Sequence, residues 1–466
     1  MPHLTRRQFT SCLAATPLAF AGPGLSFADD GFVTLTARPT NAQLLTPGEK
    51  TTHVWAYGQS VPGPVLRVRQ GERLKVRFVN DLPMPSTIHW HGIRIENAMD
   101  GVAGLTQQPV PPGESFDYAF TAPDAGTYWY HPHFRTFEQL ARGLYGVLIV
   151  EEPAPPGFDA DLPLAIDDWR LTEDGAIHEA SLGAMMDKSH AGRLGNWITV
   201  NGASGPTLKL PTNGMVRLRL VNTSNARVLR LKIGPLAAKV IALDGQPLAE
   251  PQEGVDVLTL APAQRADIAL RAPGEPDSKR ELLALAGGDQ EISIATLQTS
   301  GPAVDPRPMP QLPANPIPRL SQFQDALRVD LRMAGGAMGT MSEATYKGQV
   351  LTIRELVRAG QAWSFNGISG RTEDPLFKAR RGQTVLVSMV NDTSWPHAMH
   401  FHGHHVQVIE KNGQKVQNAP WRDTVLMERQ DAVKVAFPAE NVGKWMIHCH
   451  MLEHQAAGMA TWFAVV

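Results

Sequence analysis

Cysteine is nearly absent from this chain of 466 residues, which contains only Cys12 and Cys449. Cys12 lies in an N-terminal stretch that is typical of a cleaved export signal, so the mature chain would keep Cys449 alone. An internal disulfide is therefore excluded. Because a single exposed thiol is a liability in an oxidising compartment, we expect Cys449 to be buried or bound to a metal.

A strong charge of either sign is also missing. The chain has 43 Lys and Arg against 45 Asp and Glu, which gives a formal net charge of -2. This balance offers no electrostatic attraction for nucleic acid or for an anionic membrane. We expect small-molecule partners, no nucleic acid, no membrane insertion and a monomer.

The N-terminus reads Thr5-Arg6-Arg7-Gln8-Phe9, followed by an uncharged stretch over residues 10–27 and a small-residue site ending at Ala28. This succession resembles a twin-arginine export signal; the alternative is an ordinary N-terminus with a chance Arg-Arg pair. Pro17 and Pro23 interrupt the uncharged stretch, which argues against a membrane-spanning helix. We predict a signal over residues 1–28 and a periplasmic or secreted mature protein.

Long amphipathic helical periods are scarce, whereas 41 Gly and 37 Pro are spread along the chain. Alternating segments such as Leu74-Lys75-Val76-Arg77-Phe78 lie between turn signals, which indicates many short β-strands. A proline-rich segment over residues 301–325 is typical of an extended linker. We predict an all-β protein with domains at residues 29–155, 156–300 and 326–466. Similar phrases near residues 68–74 and 378–385 indicate that the first and third domains are copies of one unit.

Ten of the sixteen histidines fall in four short clusters. The clusters are His89-Trp90-His91, His131-Pro132-His133, His397-Ala398-Met399-His400-Phe401-His402, and His448-Cys449-His450 with His454. In a strand, each His-x-His places two imidazoles on one face and the intervening residue on the other. Four such pairs supply eight imidazoles, which are too many for one ion and suit a cluster of three coppers.

The same alternation turns Cys449 away from that cluster. A second site can be assembled from the Cys449 thiolate, the imidazoles of His397 and His454, and the thioether of Met459, which together form a blue-copper ligand set. Because Cys449 is covalently joined to His448 and His450, an electron that reaches the sulfur has a short bonded path to the cluster.

With these motifs the chain resembles the three-domain multicopper oxidases, the group that contains laccases and bacterial cuprous oxidases. The resemblance covers nearly all of the mature chain and is carried by His-Trp-His-Gly at 89–92, His-Pro-His at 131–133, His-x-x-His-x-His-Gly at 397–403 and His-Cys-His-x-x-x-His-x-x-x-x-Met at 448–459. It implies three cupredoxin-like Greek-key β-sandwich domains and four copper ions.

The family roles transfer residue by residue. The resemblance implies a type 1 copper bound by His397, Cys449, His454 and Met459, and a type 2 copper bound by His89 and His400. It assigns His91, His131, His133, His402, His448 and His450 to a type 3 copper pair. Such an enzyme takes single electrons from a donor at the type 1 copper and uses four of them to reduce dioxygen to water.

Two carboxylates are candidates for delivering protons. Asp100 lies where related enzymes carry a carboxylate near the cluster, although Asp100-Gly101 is also a common turn. A second family carboxylate often follows the last type 1 histidine, but this chain has Gln455 there. Glu453 is our candidate to replace it. His404 and His405 have no assigned role and are expected to be strand residues.

The donor is less clearly indicated. Cuprous oxidases typically carry a methionine-rich segment in the third domain, and Asp and Met just before the first type 1 histidine, where this chain has Thr393 and Trp395. Its methionines form only a modest group: Met333, Met338 and Met341, with Met185 and Met186 elsewhere. The sequence favours phenols, aromatic amines or similar one-electron donors, with Cu(I) as the alternative. A non-catalytic cell-envelope scaffold, a copper store or carrier, and a copper nitrite reductase-like enzyme are remote alternatives.

Overall fold

The computed structural model describes residues 31–287, 290–320 and 323–466, which form many short strands and few short helices. The all-β prediction is confirmed. The predicted export signal lies outside the described residues and stays a prediction. No helix in the described ranges is long and apolar enough to cross a membrane.

The strands fall into three groups along the chain, here called the first, second and third units. The first unit contains β1 (Val33–Ala42), β2 (Thr52–Tyr57), β3 (Gly63–Arg69), β4 (Arg73–Asn80), β5 (His89–His91), β6 (Ser115–Thr121), β7 (Gly126–His131) and β8 (Gly146–Glu151). The second unit contains β9 (Ala160–Trp169), β10 (Trp197–Val200), β11 (Thr207–Pro211), β12 (Met215–Asn222), β13 (Leu229–Lys232), β14 (Lys239–Leu243), β15 (Gln246–Gln252), β16 (Val257–Leu260), β17 (Arg265–Arg271), β18 (Lys279–Leu285) and β19 (Glu291–Ser300).

The third unit contains β20 (Leu327–Gly335), β21 (Glu343–Tyr346), β22 (Gln349–Thr352), β23 (Trp363–Phe365), β24 (Lys378–Ala379), β25 (Thr384–Asn391), β26 (His397–Phe401), β27 (Val406–Lys411), β28 (Gln414–Lys415), β29 (Trp421–Arg422), β30 (Thr424–Met427), β31 (Ala432–Pro438), β32 (Gly443–Cys449) and β33 (Ala460–Val465). The α-helices are α1 (Thr136–Gln139), α2 (Met185–Ser189), α3 (Ile353–Arg358) and α4 (Leu452–Ala456). The exact domain boundaries stay a prediction.

The first and third units share one topology. The first unit has sheets ordered β2-β1-β4-β6 and β3-β8-β7-β5, and the third has β23-β20-β25-β31-β27-β28 and β24-β33-β32-β26-β30. In both, the first long strand runs parallel to its neighbour, as β1 does to β4 and β20 does to β25. The equivalent strands are therefore β5 and β26, and β7 and β32. This equivalence matches the repeated phrases in the sequence.

The cores follow from strand alternation. In β4 every second side chain is buried, and these side chains pack with those of the opposite sheet in one apolar cluster. The second unit has sheets β10-β9-β12-β17-β14-β15 and β11-β19-β18-β13-β16 around its own cluster. The structure thus consists of successive sandwiches rather than one large sheet.

Buried arginines join the second unit to the first. Arg217 and Arg219 lie on β12 and are each 1% exposed. Arg217 pairs with Asp267 and with Glu152, and Arg219 donates to the hydroxyl of Thr127 on β7. Because β7 also ends in His131, these contacts brace the strand that carries a predicted ligand.

Candidate metal centres

Two equivalent strand pairs, β5 with β7 and β26 with β32, carry most of the predicted ligands. Their registers place His89 opposite His131 and His400 opposite His448. Residues that are paired across antiparallel strands point to the same face, so the imidazoles of each pair lie side by side. All four are at most 1% exposed.

The eight imidazoles predicted for the larger centre come together from the first and third units. Their ligand atoms form groups that lie within 4.8 Å of one another: His91, His131 and His450; His133, His402 and His448; and His89, His91 and His400. The first two groups share no residue, and His89 and His400 are two more imidazoles. This total exceeds the four or five ligands of one ion and suits several ions.

The nitrogens approach one another as ligands of shared ions do. The Nε2 atoms of His448 and His402 are 3.1 Å apart, and those of His450 and His131 are 3.3 Å apart. Two nitrogens bound to one ion at roughly 2.0–2.1 Å with a tetrahedral angle would be about 3.3 Å apart. Five further buried nitrogens of these eight rings have no hydrogen-bond partner in the described chain: His89 Nε2, His91 Nδ1, His133 Nε2, His400 Nε2 and His450 Nδ1. Such atoms are costly unless a metal binds them, so the residues fit a metal centre.

Oxygen atoms hold the remaining nitrogens of several rings. His89 Nδ1 donates to the backbone carbonyl of Asp100 at 2.8 Å, and His402 Nδ1 donates to the Asp100 carboxylate at 3.0 Å. His448 Nδ1 donates to the Cys449 carbonyl at 3.0 Å. Outer acceptors of this kind fix the tautomer and orientation of metal-binding imidazoles. Asp100, 2% exposed, therefore lies in contact with two predicted ligands.

The backbone also bends sharply at Asp100-Gly101, as the sequence alternative proposed. Gly101 has a φ of +77°, and a Cβ there would lie 1.8 Å from the carbonyl oxygen of Ile88. Only glycine fits this close approach, since a side chain would collide with backbone. The turn is what directs the Asp100 carboxylate toward His402.

Burial keeps four of these imidazoles neutral. It lowers the pKa of His131, His133, His402 and His450 well below the usual value, and neighbouring imidazoles add to the shift. A neutral imidazole has a free lone pair, so at neutral pH protons do not compete with a metal for these rings.

A smaller centre lies on the opposite side of the His-Cys-His segment. The Nδ1 atoms of His397 and His454 are 3.1 Å apart, and Cys449 Sγ lies 3.6 Å from the first and 3.8 Å from the second. All three residues are fully buried, as is Met459. The Met459 amide donates to the His454 carbonyl, and its own carbonyl accepts from the Cys449 amide, which holds it beside the other three. Two imidazoles and the thiol of the predicted blue-copper set thus lie together, and the backbone of Met459 is hydrogen-bonded to two of these residues.

The cysteine thiol needs a cation to ionise. Burial raises the pKa of Cys449 to about 12, and burial lowers the pKa of His454 to about 4. Without a metal the site therefore holds a thiol and a neutral imidazole at neutral pH. A metal ion that binds there must displace the thiol proton.

A buried ion pair beside the larger centre was not found from the sequence. Asp423 accepts from His91 Nε2 at 3.2 Å, and its backbone carbonyl accepts from His400 Nδ1 at 2.9 Å. Arg265 of the second unit donates to both carboxylate oxygens, at 2.9 and 2.5 Å. Burial alone would raise the pKa of Asp423, but the Arg265 charge holds it well below its usual value. A lone Asp in an alternating segment gives no signal of this contact.

The Glu453 carboxylate is hydrogen-bonded to the second unit, and its role in proton delivery stays a prediction. Its Oε1 accepts from the Asn225 side-chain amide at 2.9 Å, and its Oε2 accepts from the Arg193 backbone amide at 3.1 Å. Both donors belong to the second unit, because the short helix α4 turns the carboxylate toward it. Glu453 forms no hydrogen bond to the eight imidazoles in the described chain, and burial raises its pKa.

The expectation that His404 and His405 are strand residues is wrong. Both are buried, and both precede β27 in the turn after His402. The chain bends at Gly403, whose φ is +65°. Only glycine fits there, because a Cβ would lie 2.4 Å from the Trp445 ring. His404 packs against Phe437 and Trp445, and burial lowers its pKa to about 3.

Comparison with known proteins agrees with this arrangement. Multicopper oxidase family models match residues 39–155, 162–291 and 344–466. The chain is 30% identical over 456 residues to the multicopper oxidase MmcO of Mycobacterium tuberculosis, covering 92% of this chain and 86% of that protein. It is 26% identical to Laccase-1 of Cryptococcus neoformans, covering 89% and 77%.

A solved structure of a multi-copper oxidase from Pseudomonas thermotolerans superposes with a TM-score of 0.81 at 33% identity, covering 93% of this chain and 98% of that one. The family models together span most of the sequence, and the ligand clusters lie within the first and third of them. The chain therefore belongs to the multicopper oxidase family, and it is an oxidoreductase built from cupredoxin-like domains.

Proposed function

We propose that this chain is a laccase-like oxidase, which takes electrons one at a time from phenols or aromatic amines and passes them to dioxygen, forming water. The placement of Cys449 carries the proposal. Its sulfur lies with His397 and His454, while the imidazoles of its bonded neighbours His448 and His450 lie with the other histidines. A copper store or carrier would have no use for this covalent connection between two centres.

The ligand assignment follows the groups described above. In this proposal His397, Cys449, His454 and Met459 hold a type 1 copper, His89 and His400 hold a type 2 copper, and the other six clustered imidazoles hold a type 3 pair. When bound, these ions supply single-electron redox chemistry and together the four electrons that dioxygen requires. The protein positions the ions, excludes water from the smaller centre and supplies protons.

Asp100 is our candidate for handling protons at the larger centre. Four protons are consumed when one dioxygen becomes two waters, so an ionisable group next to the imidazoles has a chemical role. The Asp100 carboxylate accepts from His402 at 3.0 Å and lies 3.2 Å from His89 Nδ1. It also orients both rings through these contacts.

A roof formed by residues 185–190 of the second unit covers the smaller centre. The His454 Nε2–H group donates to the His190 carbonyl at 2.6 Å, and the Ala337 amide donates to the Ser189 carbonyl at 2.7 Å. The His190 ring lies 5.3 Å from the Trp395 ring, and both are half-buried. An electron donor that approaches the smaller centre therefore contacts the rings of His190 and Trp395 rather than the edge of the His454 ring. Such a surface favours stacking with phenols and aromatic amines.

Oxygen uptake by the copper-loaded protein tests the proposal. We expect faster uptake with a phenol than with Cu(I) at equal concentration, because only planar donors can stack on Trp395 and His190. Replacing Trp395 by Leu should lower kcat/KM for the phenol by up to about tenfold, which corresponds to about 1.4 kcal/mol of lost aromatic contact, and leave Cu(I) uptake nearly unchanged. Uptake that is much faster with Cu(I) would contradict the choice of donor, and no uptake with either would contradict the oxidase.

Exposed methionines favour Cu(I) as the second candidate donor. Met186 and Met338 are 67% and 74% exposed; Met186 belongs to the roof, and Met338 follows Ala337, which is hydrogen-bonded to it. Met333, by contrast, is fully buried in the core and cannot bind an incoming ion. If Cu(I) is the donor, Met186→Leu with Met338→Leu should slow Cu(I) uptake but spare phenol uptake.

Copper binding at the smaller centre should release a measurable number of protons per ion bound. Because the Cys449 pKa is about 12 without metal and the His454 pKa is about 4, the thiol carries a proton at pH 7 and the imidazole does not. We expect about one proton released per type 1 copper, and an affinity that rises about tenfold per pH unit between pH 5 and 9. Calorimetry in buffers of different ionisation enthalpy measures this release. Cys449→Ser, as the control, should release none at that site.

A further inference from the structure

A cavity of about 370 Å³ reaches from the surface to His133, one of the eight clustered imidazoles. His133 is 6% exposed, whereas the other seven are at most 1% exposed. Residues of the first and third units form the walls. We call this cavity the antechamber of the larger centre.

The antechamber carries an uncompensated positive charge. Its lining includes Arg135 and Arg371 but no Asp or Glu. Arg135 is neutralised by Glu138 at 2.7 Å. Arg371 has no carboxylate partner in the described part of the chain, and its guanidinium makes one hydrogen bond there, from Nη2 to the Ala103 carbonyl at 2.9 Å. Most of its five N–H donors therefore remain available.

The backbone on both sides of Arg371 is anchored. The Gly370 amide donates to the Gly458 carbonyl at 2.8 Å, and the Trp462 indole donates to the Thr372 carbonyl at 2.9 Å. The Arg371 side chain lines the cavity and is exposed to solvent, while the protein around it lowers its pKa by partial desolvation. Because its backbone is anchored, Arg371 loses less freedom on binding an anion than an arginine on a mobile loop does.

Two side-chain amides complete the lining. Gln361 and Gln455 both border the cavity and have N–H groups that an anion accepts from. Gln455 occupies the position at which a carboxylate often follows the type 1 histidine in the family that the sequence resembles. A glutamate there would offset the Arg371 charge, whereas glutamine leaves the antechamber cationic.

We propose that the antechamber binds a small carboxylate anion through the guanidinium fork of Arg371, and that the bound anion limits access to His133. A planar guanidinium matches a carboxylate in a bidentate geometry. The volume has room for an acetate-sized ion and several waters, since each water occupies about 30 Å³ in the liquid. The binding itself does not depend on the proposed oxidase function; only its effect on oxygen access does.

Acetate titrated into the copper-loaded full chain by calorimetry, at constant ionic strength, tests the site. We expect saturable binding at one site, weakened at least tenfold in Arg371→Gln and only partly in Arg371→Lys, which keeps the charge but loses the fork. Gln455→Glu should weaken it similarly by repulsion, although Arg371 is intact. Arg354→Gln, on the exposed helix α3 outside the lining, is the matched control and should bind acetate like the parent.

Oxygen-uptake kinetics and the type 2 EPR signal complete the test. Acetate should raise the apparent KM for oxygen in the parent protein and have little effect in Arg371→Gln, with the EPR signal unchanged. Absence of saturable binding, or equal affinity in Arg371→Gln, overturns the proposal. So does an acetate-induced EPR change that persists in Arg371→Gln, because acetate would then bind copper directly. Binding without any oxygen uptake would contradict the oxidase function but not the anion site.

Discussion

Replacing Cys449 by serine should remove the blue absorption of the copper-loaded protein and stop its oxygen consumption. The sulfur lies 3.6 and 3.8 Å from the imidazole nitrogens of His397 and His454, so in our proposal it supplies the thiolate of the smaller centre once copper binds. A serine hydroxyl is a hard, weakly acidic donor that neither holds copper as a thiolate does nor conducts electrons toward His448 and His450. We expect uptake to fall more than about 100-fold, beyond the 10–100-fold that loss of an outer partner costs.

To interpret the result for Cys449→Ser, a control variant is needed that leaves every proposed copper ligand in place. Thr393 Oγ1 lies 2.9 Å from His397 Nε2, so Thr393→Val removes one outer hydrogen bond and no ligand. It should keep the blue colour and shift the potential of the site. Copper analysis should show loss of about one ion per chain in Cys449→Ser and none in Thr393→Val. A serine variant that stays blue would contradict the assignment of Cys449.

Replacing Arg265 by methionine should destabilise the protein and impair copper binding at the larger centre together. Arg265 and Asp423 are both fully buried, and Asp423 in turn holds His91. Removing one partner leaves a buried charge, which costs about 3–5 kcal/mol of unfolding free energy. Since Asp423 orients His91 and His400, we also expect copper affinity there to fall about 10–100-fold. Denaturant unfolding of the copper-free protein and copper titration measure the two effects.

Replacing a second buried arginine distinguishes the loss of stability from the loss of copper affinity. Arg217 is 1% exposed and pairs with Glu152 and Asp267, but it contacts none of the clustered histidines in the described chain. Arg217→Met should lose similar stability and keep the copper affinity of the parent. If Arg265→Met does not fold, Arg265→Lys keeps the charge without the two-pronged contact and should lower the copper affinity of the larger centre with a smaller loss of stability. Equal copper affinity in all three variants would show that Arg265 is purely structural.

The grouping of the candidate metal ligands was predictable because strand geometry decides which side chains share a face. In His448-Cys449-His450 the alternation separates the sulfur from its neighbours, and the structure places them in different groups. The repeated phrases predicted equivalent units, and β5 and β26 occupy equivalent sheet positions. The sequence of a single segment was therefore enough to predict which of its side chains lie together.

The contributions of the second unit were not predictable, because they depend on contacts between distant parts of the chain. The His190 carbonyl and the Arg193 amide are backbone groups, which any residue type supplies. Arg265 meets Asp423 across 158 positions, and neither residue stands out in its own segment. His404 and His405 were misplaced for a related reason, because a bend at Gly403 interrupts the strand that the sequence-based argument extended through them.

The division of the larger centre between the first and third units also governs when it can form. His131 and His450 are 319 positions apart, and His402 lies 302 positions from Asp100. β32 is held at its outer edge by β33, which ends one residue before the C-terminus. The site is therefore complete only after β33 has been synthesised and has paired with β32. A chain shortened by even its final strand should emerge with intact early sandwiches and no capacity to retain copper in the shared cluster.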